Sequence, residues 1–287
     1  MLRFIHFLNL KFNNMSQAPS LEETTIKLLE HGPRPKTALI AEIKQKTGAT
    51  IQGIYKALRS LREAEVITLH NKIVSLSFVW ITAQFKKYRM ITEIYQTPGR
   101  AAYFLELKAG EHISFKFRTL RELDLFWTHA FLLLEPQIAT ATPVYSIIPH
   151  DWFTYARPAS DQAWVEQLET RMRIQRVVIT HSSPLDKKVL NGRKSKLLEF
   201  VLGKNPLHQD ERTYLNILDP WIFEARIDKK TNALLLDWIR NNPDIASRKM
   251  ADLENIFKRH GVSTLKISCN PRRAKLLTRK VQKYFVF

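Results

Sequence analysis

Residues 37–71, TALIAEIKQKTGATIQGIYKALRSLREAEVITLHN, decide how the amino-terminal part of this chain is interpreted. A helical pattern runs to Gly48, which stands where a helix usually ends in a left-handed glycine. Thr50 can then cap a second helix. The apolar positions of that helix recur at spacings of three, four and three residues: Ile51, Ile54, Leu58 and Leu61. The stretch therefore predicts two helices separated by a short turn, the second with one buried stripe.

Elements on both sides of this stretch complete a known order. Upstream, Ser20 and Glu23 form a capping box at the start of another helix, which Gly32 ends. Downstream, residues 67–82 contain β-branched runs on either side of His70-Asn71-Lys72, which predicts a tight hairpin. Three helices followed by a hairpin are the order of a winged helix-turn-helix.

The helix after Gly48 has a polar side opposite its apolar stripe. The major groove of DNA admits one α-helix, and the amino-terminal part of that helix reaches the base edges. Glutamine can pair with adenine, while lysine and arginine can contact guanine or phosphate, and the hairpin tip would lie along the DNA backbone or minor groove. The predicted DNA-binding set is Thr50, Gln52, Gly53, Lys56, Arg59, Ser60, His70, Asn71 and Lys72. Gly53 is included because it would let the backbone approach the groove; a solvated face, or a hairpin that docks a protein, is the alternative.

The charge of the chain favours a polyanionic partner. Lys and Arg number 45 against 27 Asp and Glu, a net charge of +18. Nucleic acid is the commonest partner of such a protein, with an anionic membrane surface or simple solubility as the rivals. A second basic patch is predicted on the last helix, which carries no acidic residue: Arg272, Arg273, Lys275, Arg279, Lys280 and Lys283.

Composition and motifs argue against the common enzyme classes. The chain has eight glycines, where average usage would give roughly 20, and no G-x-G, which removes the Rossmann and phosphate-loop fingerprints. A single cysteine, Cys269, excludes multi-cysteine zinc modules. The sequence therefore predicts no enzyme, metal or cofactor. His150-Asp151 and His181-Ser182-Ser183 are interpreted as loop residues, and the carboxylates of Asp219, Glu224 and Asp228 as a solvated hairpin.

The predicted architecture is α+β, with an amino-terminal winged helix-turn-helix over residues 16–88. Residues 1–15 are interpreted as a disordered extension or a start-site artefact, because Met15 opens a polar segment that reads like a natural start. Residues 89–140 form a connecting hairpin and helix, the hairpin turning at Lys108–Glu111. A mixed α/β effector or dimerisation domain follows over 141–287. No segment approaches the ~20 apolar residues that cross a bilayer, so a cytoplasmic protein without membrane contact is expected.

The stretch at residues 37–71 resembles the winged helix-turn-helix of the TrmB family of transcriptional regulators. It carries that family's pattern of a short helix, a turn, x-x-I-Y-x-A-L-x-x-L and a wing. The resemblance implies a regulator of double-stranded DNA, a homodimer, and a carboxy-terminal domain similar to half of a phospholipase D unit. The phospholipase signature H-x-K-x-x-x-x-D is absent, since the one H-x-K is His70-Asn71-Lys72 and Ser77 takes the place of the aspartate.

The resemblance therefore implies that the carboxy-terminal domain binds a small-molecule effector or forms the dimer, and is not an active phosphodiesterase. Two alternatives stay open. One is a protein-interaction module, such as an antitoxin or a defence regulator, and the other is a nucleic-acid enzyme in the carboxy-terminal domain.

Overall fold

A computed structural model describes residues 19–97, 103–192, 195–207, 210–243 and 247–285. The predicted extension over residues 1–15 lies outside them. The chain divides into two compact units, Met1–Ile94 and Tyr95–Phe287. Helices and a large mixed sheet occur together, so the predicted α+β class is confirmed.

The first unit is small and mostly helical. Its elements are α1 (Leu21–Leu29), β1 (Arg34–Pro35), α2 (Lys36–Thr47), α3 (Ile51–Glu63), β2 (Ile67–His70), β3 (Ile73–Leu76) and α4 (Phe78–Gln96). The strands form one antiparallel sheet in the order β1-β3-β2. The short β1 was not predicted, because a two-residue strand has no periodic signal.

Local chemistry sets the helix ends where the sequence predicted them. Ser20 accepts a hydrogen bond from the backbone of Glu23, and the Glu23 carboxylate accepts one from Ser20. Gly48 ends α2 in the left-handed conformation, with φ of 68°. The Thr50 hydroxyl accepts from the Gly53 amide at the start of α3. These contacts satisfy backbone groups that a helix end would otherwise leave unpaired.

The core of the first unit corrects the predicted stripe of α3. Ile54, Ala57, Leu58 and Leu61 are buried against α1 and α2, but Ile51 is 49% exposed. Ile51 is the first residue of the helix, so the neighbouring helices do not cover it. The buried stripe therefore begins one turn later than the apolar spacing suggested.

The predicted hairpin is present but shorter than expected. Asn71 and Lys72 form its turn with φ of 47° and 64°, the left-handed pair that matches the twist of two paired strands. The ladder ends at Leu76, and the β-prone residues that follow open the helix α4. Residues from Phe78 onward are helical despite their β-propensity, because no partner strand continues the ladder.

The second unit is built on a seven-stranded sheet in the order β4-β10-β9-β8-β5-β6-β7. The strands β5, β6 and β7 are parallel and the other neighbours are antiparallel. Its elements are β4 (His112–Phe117), α5 (Leu120–Leu134), β5 (Val144–Ile148), α6 (Phe153–Ala156), α7 (Pro158–Thr170), β6 (Gln175–Ile179), α8 (Pro184–Gly192), β7 (Leu198–Leu202), β8 (Thr213–Leu218), β9 (Trp221–Arg226), α9 (Lys229–Asn241), α10 (Ser247–Lys258), β10 (Ser263–Cys269) and α11 (Pro271–Gln282).

The predicted connector over residues 89–140 is corrected. Residues Tyr103–Glu106 form a 3-10 turn rather than a strand, and β4 pairs with β10 instead of closing a local hairpin. The Gly110 amide donates to the carbonyl of Cys269. Sequence patterns predict pairing between neighbouring segments best, whereas β10 lies some 150 residues after β4. Thus β4 and α5 belong to the second unit.

The two faces of the large sheet carry different cores. One face packs against α5, α9 and α10, with Trp127, Phe131 and Phe223 in a large apolar cluster. α5 is thus part of this core. The other face packs against α11 through Ala274, Leu277 and Val281. Leu276 of the same helix is 56% exposed.

Gly261 has no room for a side chain. A Cβ there would lie 2.6 Å from Cγ and 2.9 Å from Cβ of Asp228. Asp228 caps α9 through Thr231 and also pairs with Arg259. Gly261→Ala should therefore lower the free energy of unfolding by about 1–3 kcal/mol, the usual cost of overpacking. Urea denaturation measures it, with Gly192→Ala as the control because a Cβ at Gly192 meets nothing within 4 Å. Equal stability of the two variants would contradict the prediction.

Candidate functional site

The outer face of α3 is open along its length. The side chains of Gln52, Lys56, Arg59 and Ser60 are exposed, and so is Thr50, whose hydroxyl is used in the helix cap. The buried stripe fixes the rotation of the helix, and therefore these polar groups share the opposite side. Two cations and two uncharged hydrogen-bonding side chains thus stand within about two turns.

Gly53 is the least exposed member of the predicted set on α3. It is half-exposed, and a Cβ there would lie 3.3 Å from Thr50 Oγ1 and 3.7 Å from Leu21. Gly53 therefore lies beside the start of α1, and its role in DNA binding stays a prediction.

Sequence reasoning missed an aromatic residue on the same helix. Tyr55 is 44% exposed, and the Lys36 ammonium lies 4.7 Å from the centre of its ring. A lysine over a ring face is an attractive contact. Tyr55 lies outside the apolar stripe of α3 and next to Lys56, and this position was the signal in the sequence that could have indicated its exposure.

The hairpin tip is exposed as predicted. His70, Asn71 and Lys72 all lie at the surface, and the carbonyl of Lys72 accepts from the Lys36 amide. That bond ties the tip to the start of α2 and fixes where it points within the first unit.

The second basic patch is also exposed, with one exception. Arg272, Lys275, Arg279 and Lys280 are exposed on α11, and so is Lys283 directly after it. Arg273 is half-buried and donates to the Glu224 carboxylate at 2.7 Å. Arg273 is therefore part of the packing of α11 on the sheet.

The carboxylates near the β8–β9 hairpin do not form a site. Glu224 is paired with Arg273, and Asp228 caps α9. Among the residues that the structure describes, no group of three or more His, Cys, Asp or Glu side chains is placed to hold a metal ion.

A helix-capping cluster follows the parallel strands β5 and β6. The Asp186 carboxylate accepts from Ser183 Oγ at 2.6 Å and lies 2.8 Å from His150 Nδ1. Burial alone would raise the pKa of Asp186, but the hydrogen bonds from His150 and Ser183 outweigh it and lower the pKa below its usual range. Hydrolytic triads need the serine bonded to the histidine, whereas Ser183 bonds to the carboxylate and caps α8. The sequence analysis placed His150 and Ser183 in two separate loops. In the fold both bond to the Asp186 carboxylate, in a contact that caps α8.

The second unit contains a cavity between the sheet and the helices α5 and α7. The cavity has a volume of about 70 Å³, taken as the space that the centres of water molecules can occupy. One water needs ~10–15 Å³ on this measure, so the cavity has room for several. Aromatic rings form much of its wall: Trp127, Phe153, Trp164 and Phe200. No part of this cavity was predicted from the sequence.

Three strands carry polar side chains into this cavity. Ser146 Oγ accepts from Asn216 Nδ2 at 2.7 Å and from Gln175 Nε2 at 3.0 Å. Trp164 Nε1 donates to Gln175 Oε1. Asn216 Oδ1 and Trp127 Nε1 are buried and have no hydrogen-bond partner among the described residues. Leaving such atoms unpaired costs free energy, so each needs an explanation.

A buried ion pair lies at the same cavity. Asp124 is 2% exposed, and its Oδ2 lies 3.0 Å from Arg157 Nη1. Burial raises the pKa of Asp124 from 3.8 to about 6; Arg157 lowers it and Asp161 raises it further. An aspartate between Leu123 and Leu125, in a helix whose inner side is apolar, was the signal in the sequence.

Asp124 makes a testable contribution to stability. Its pKa is higher in the folded than in the unfolded chain, so the folded chain binds more protons between about pH 4 and 6. This stabilisation is full below pH 4 and lost as the pH rises through 6. Relative to Asp124→Asn, the wild type should lose unfolding free energy on the order of 2–3 kcal/mol across this range. Urea denaturation at several pH values measures it, with the exposed Asp237→Asn as control; parallel curves for wild type and Asp124→Asn would refute it.

No protein-family model matches this chain, and no curated protein matches it either. The geometry of the chain itself therefore carries the functional argument. None of the described helices combines the length and the apolar character needed to cross a membrane.

Proposed function

We propose that this protein is a sequence-specific DNA-binding transcriptional regulator whose first unit is a winged helix-turn-helix. The observation that supports it most is the exposed polar face of α3, with Gln52, Lys56 and Arg59 outward. These side chains would read base edges in the major groove, and His70–Lys72 would contact the adjacent backbone. The order of elements and the resemblance to the TrmB family agree with this function.

The positive charge supplies the general affinity for DNA. A net charge of +18 attracts the polyanion, and each phosphate that a Lys or Arg neutralises releases counterions. The exposed cations of α11 would add contacts that do not depend on sequence. The regulator would act in the cytoplasm.

The proposed regulator is a homodimer, and α4 offers the contact surface. The helix has no buried residue, and Phe78, Phe85, Tyr88 and Tyr95 are all exposed. Their spacings of seven, three and seven residues place them on one side of the helix. A second copy of α4 would cover this apolar side, and a dimer would suit a palindromic operator.

The dimer gives a prediction of its own. Phe85→Glu with Tyr88→Glu should convert the dimer into a monomer, because two carboxylates would be buried at the contact. Light scattering after size exclusion measures the mass. Lys86→Glu with Lys87→Glu is the matched control on the neighbouring exposed positions. A wild-type chain that is monomeric at micromolar concentration would contradict the prediction.

Genomic footprinting of the tagged protein tests the proposed function. Sharp peaks that share a palindrome would support it, and purified protein should bind such a site with an affinity that falls steeply with salt. Diffuse occupancy without a shared sequence would overturn it.

A protein-interaction module is the second candidate, and a specific observation favours it. Ile51, Leu69 and Ile73, on α3 and the hairpin, are 39–49% exposed. Apolar side chains among polar ones suit a protein partner, as in an antitoxin. Co-purification with a stoichiometric protein, without salt-dependent DNA binding, would favour this candidate.

A further inference from the structure

We propose that the cavity of the second unit binds a small, flat amide, such as a lactam or a pyrimidinone ring, through its paired N–H and carbonyl groups. As an effector site of a regulator it rests on the proposed function. As a binding site it can be tested without DNA.

Two buried atoms at the cavity specify one donor and one acceptor on the ligand. Asn216 Oδ1 and Trp127 Nε1 have no hydrogen-bond partner in the part of the chain that the structure describes. Both side chains line the cavity and are at most 5% exposed, so an occupant of the cavity is the partner that they lack. The edge of an amide supplies what is missing, with its N–H on Asn216 and its carbonyl on Trp127.

Ser146 adds a second donor beside Asn216. The two residues lie opposite each other on the paired strands β5 and β8. Ser146 Oγ accepts from Asn216 Nδ2 and from Gln175 Nε2, so its hydroxyl hydrogen remains to donate. A carbonyl oxygen has two lone pairs, enough for the donors of Ser146 and Trp127. These donors favour a ligand carbonyl and disfavour a metal ion at this point.

The charged groups at the cavity have partners of their own. Asp124 Oδ2 lies 3.0 Å from Arg157 Nη1. Asp151 accepts from the amide and the hydroxyl of Thr154, and Asp161 also has a partner. The ligand is therefore selected by neutral hydrogen-bonding groups rather than by a charge that it has to balance.

The aromatic walls favour a flat ring over a cluster of water molecules. Trp127 and Phe153 meet edge to face, with ring centres 5.5 Å apart, and Trp164 is stacked on Phe131. These contacts hold the rings in place without a ligand. Water would satisfy the polar atoms but leave the ring faces hydrated, whereas a flat ligand covers them.

The size of the cavity limits the ligand to about one ring. Its volume of about 70 Å³ is smaller than the ~150 Å³ of an engineered cavity that encloses benzene. The half-exposed Thr128 and Ser160 line it too, so it is open to solvent. A single ring would therefore insert its polar edge, and the rest of a larger ligand would extend outward.

The probes are 2-pyridone and 2-pyranone, which share size and shape and differ in a ring N–H against a ring oxygen. NMR titration of the full chain should give 2-pyridone a dissociation constant of about 1 mM or below. It should bind at least about tenfold tighter than 2-pyranone, which leaves Asn216 Oδ1 without a donor. The indole N–H resonance of Trp127, assigned by its loss in Trp127→Phe, should shift on adding 2-pyridone.

Asn216→Leu tests the acceptor, because leucine is close in size to asparagine and has no Oδ1. This variant should bind the two probes within about threefold of each other. The exposed Asn191→Leu is the matched control and should keep the preference for 2-pyridone. The comparison of the probes on the wild-type chain needs no variant, so it decides even where Asn216→Leu does not fold.

No binding of 2-pyridone at about 10 mM would overturn the amide site and leave water as the occupant. Equal binding of the two probes by the wild type, or an unchanged preference in folded Asn216→Leu, would also overturn it. So would binding that leaves the Trp127 resonance unmoved, since the ligand would then lie elsewhere. Failure of DNA binding alone would overturn the regulator and leave this site standing.

Discussion

Replacing both Lys56 and Arg59 with alanine is expected to lower the affinity for the operator by roughly two orders of magnitude. The two side chains leave the exposed face of α3 about one turn apart, so they can contact the same groove. One good contact to a base contributes about 1–3 kcal/mol, and removing two gives a change of this size. The helix itself should persist, since neither residue belongs to the buried stripe.

Fluorescence anisotropy over a series of salt concentrations separates this effect from loss of charge. The slope of log affinity against log salt should become shallower by about one for each phosphate that the variant no longer neutralises. Lys229→Ala with Lys230→Ala removes the same charge from exposed positions of the second unit. If both double variants bind the operator equally, α3 does not read DNA.

Arg173→Ala is expected to lower the free energy of unfolding of the second unit by about 3–5 kcal/mol. The Arg173 guanidinium is fully buried, and it donates to the equally buried Glu135 carboxylate. It also donates to a set of backbone carbonyls between α5 and β5: Glu135, Ile138, Ala139 and Thr142. Removing it leaves a buried carboxylate with less compensation and takes a charged donor away from these carbonyls.

Urea denaturation measures this loss, and Arg171→Ala is the control. Arg171 also pairs with Glu135, at 2.8 Å, but a quarter of its side chain is exposed. Its loss should cost clearly less, because Arg173 remains beside the carboxylate and water can reach the vacated position. A cost for Arg173→Ala no larger than that for Arg171→Ala would contradict the role of the buried pair.

Local signals explain most of what the sequence predicted. The capping box at Ser20, the glycine at position 48 and the turn at Asn71 each act within a few residues, and each is found as predicted. The helix predicted within residues 89–140 is found as α5. The recognition function of α3 was predicted from the same spacing, and it stays a prediction.

Long-range pairing explains what the sequence did not predict. The strand β4 follows a hairpin-like pattern, but its partner β10 comes some 150 residues later. The cavity joins side chains from α5, β5, α7, β6 and β8, and no spacing in the sequence relates them. Ser146 meets Asn216 because β5 and β8 pair in that register.

The amino-acid sequence by itself determined the start of α1 at Ser20, the end of α2 at Gly48 and the start of α3 at Thr50. It also determined which side of α3 is polar and that the chain is strongly basic, since these properties depend on near neighbours and on composition. Only the tertiary structure decided that Gly53 lies beside α1, that β4 joins the large sheet, and that a cavity lined by aromatic and polar side chains forms between the sheet and the helices α5 and α7. Those outcomes depend on strand register and helix packing, which bring together groups that lie far apart along the chain.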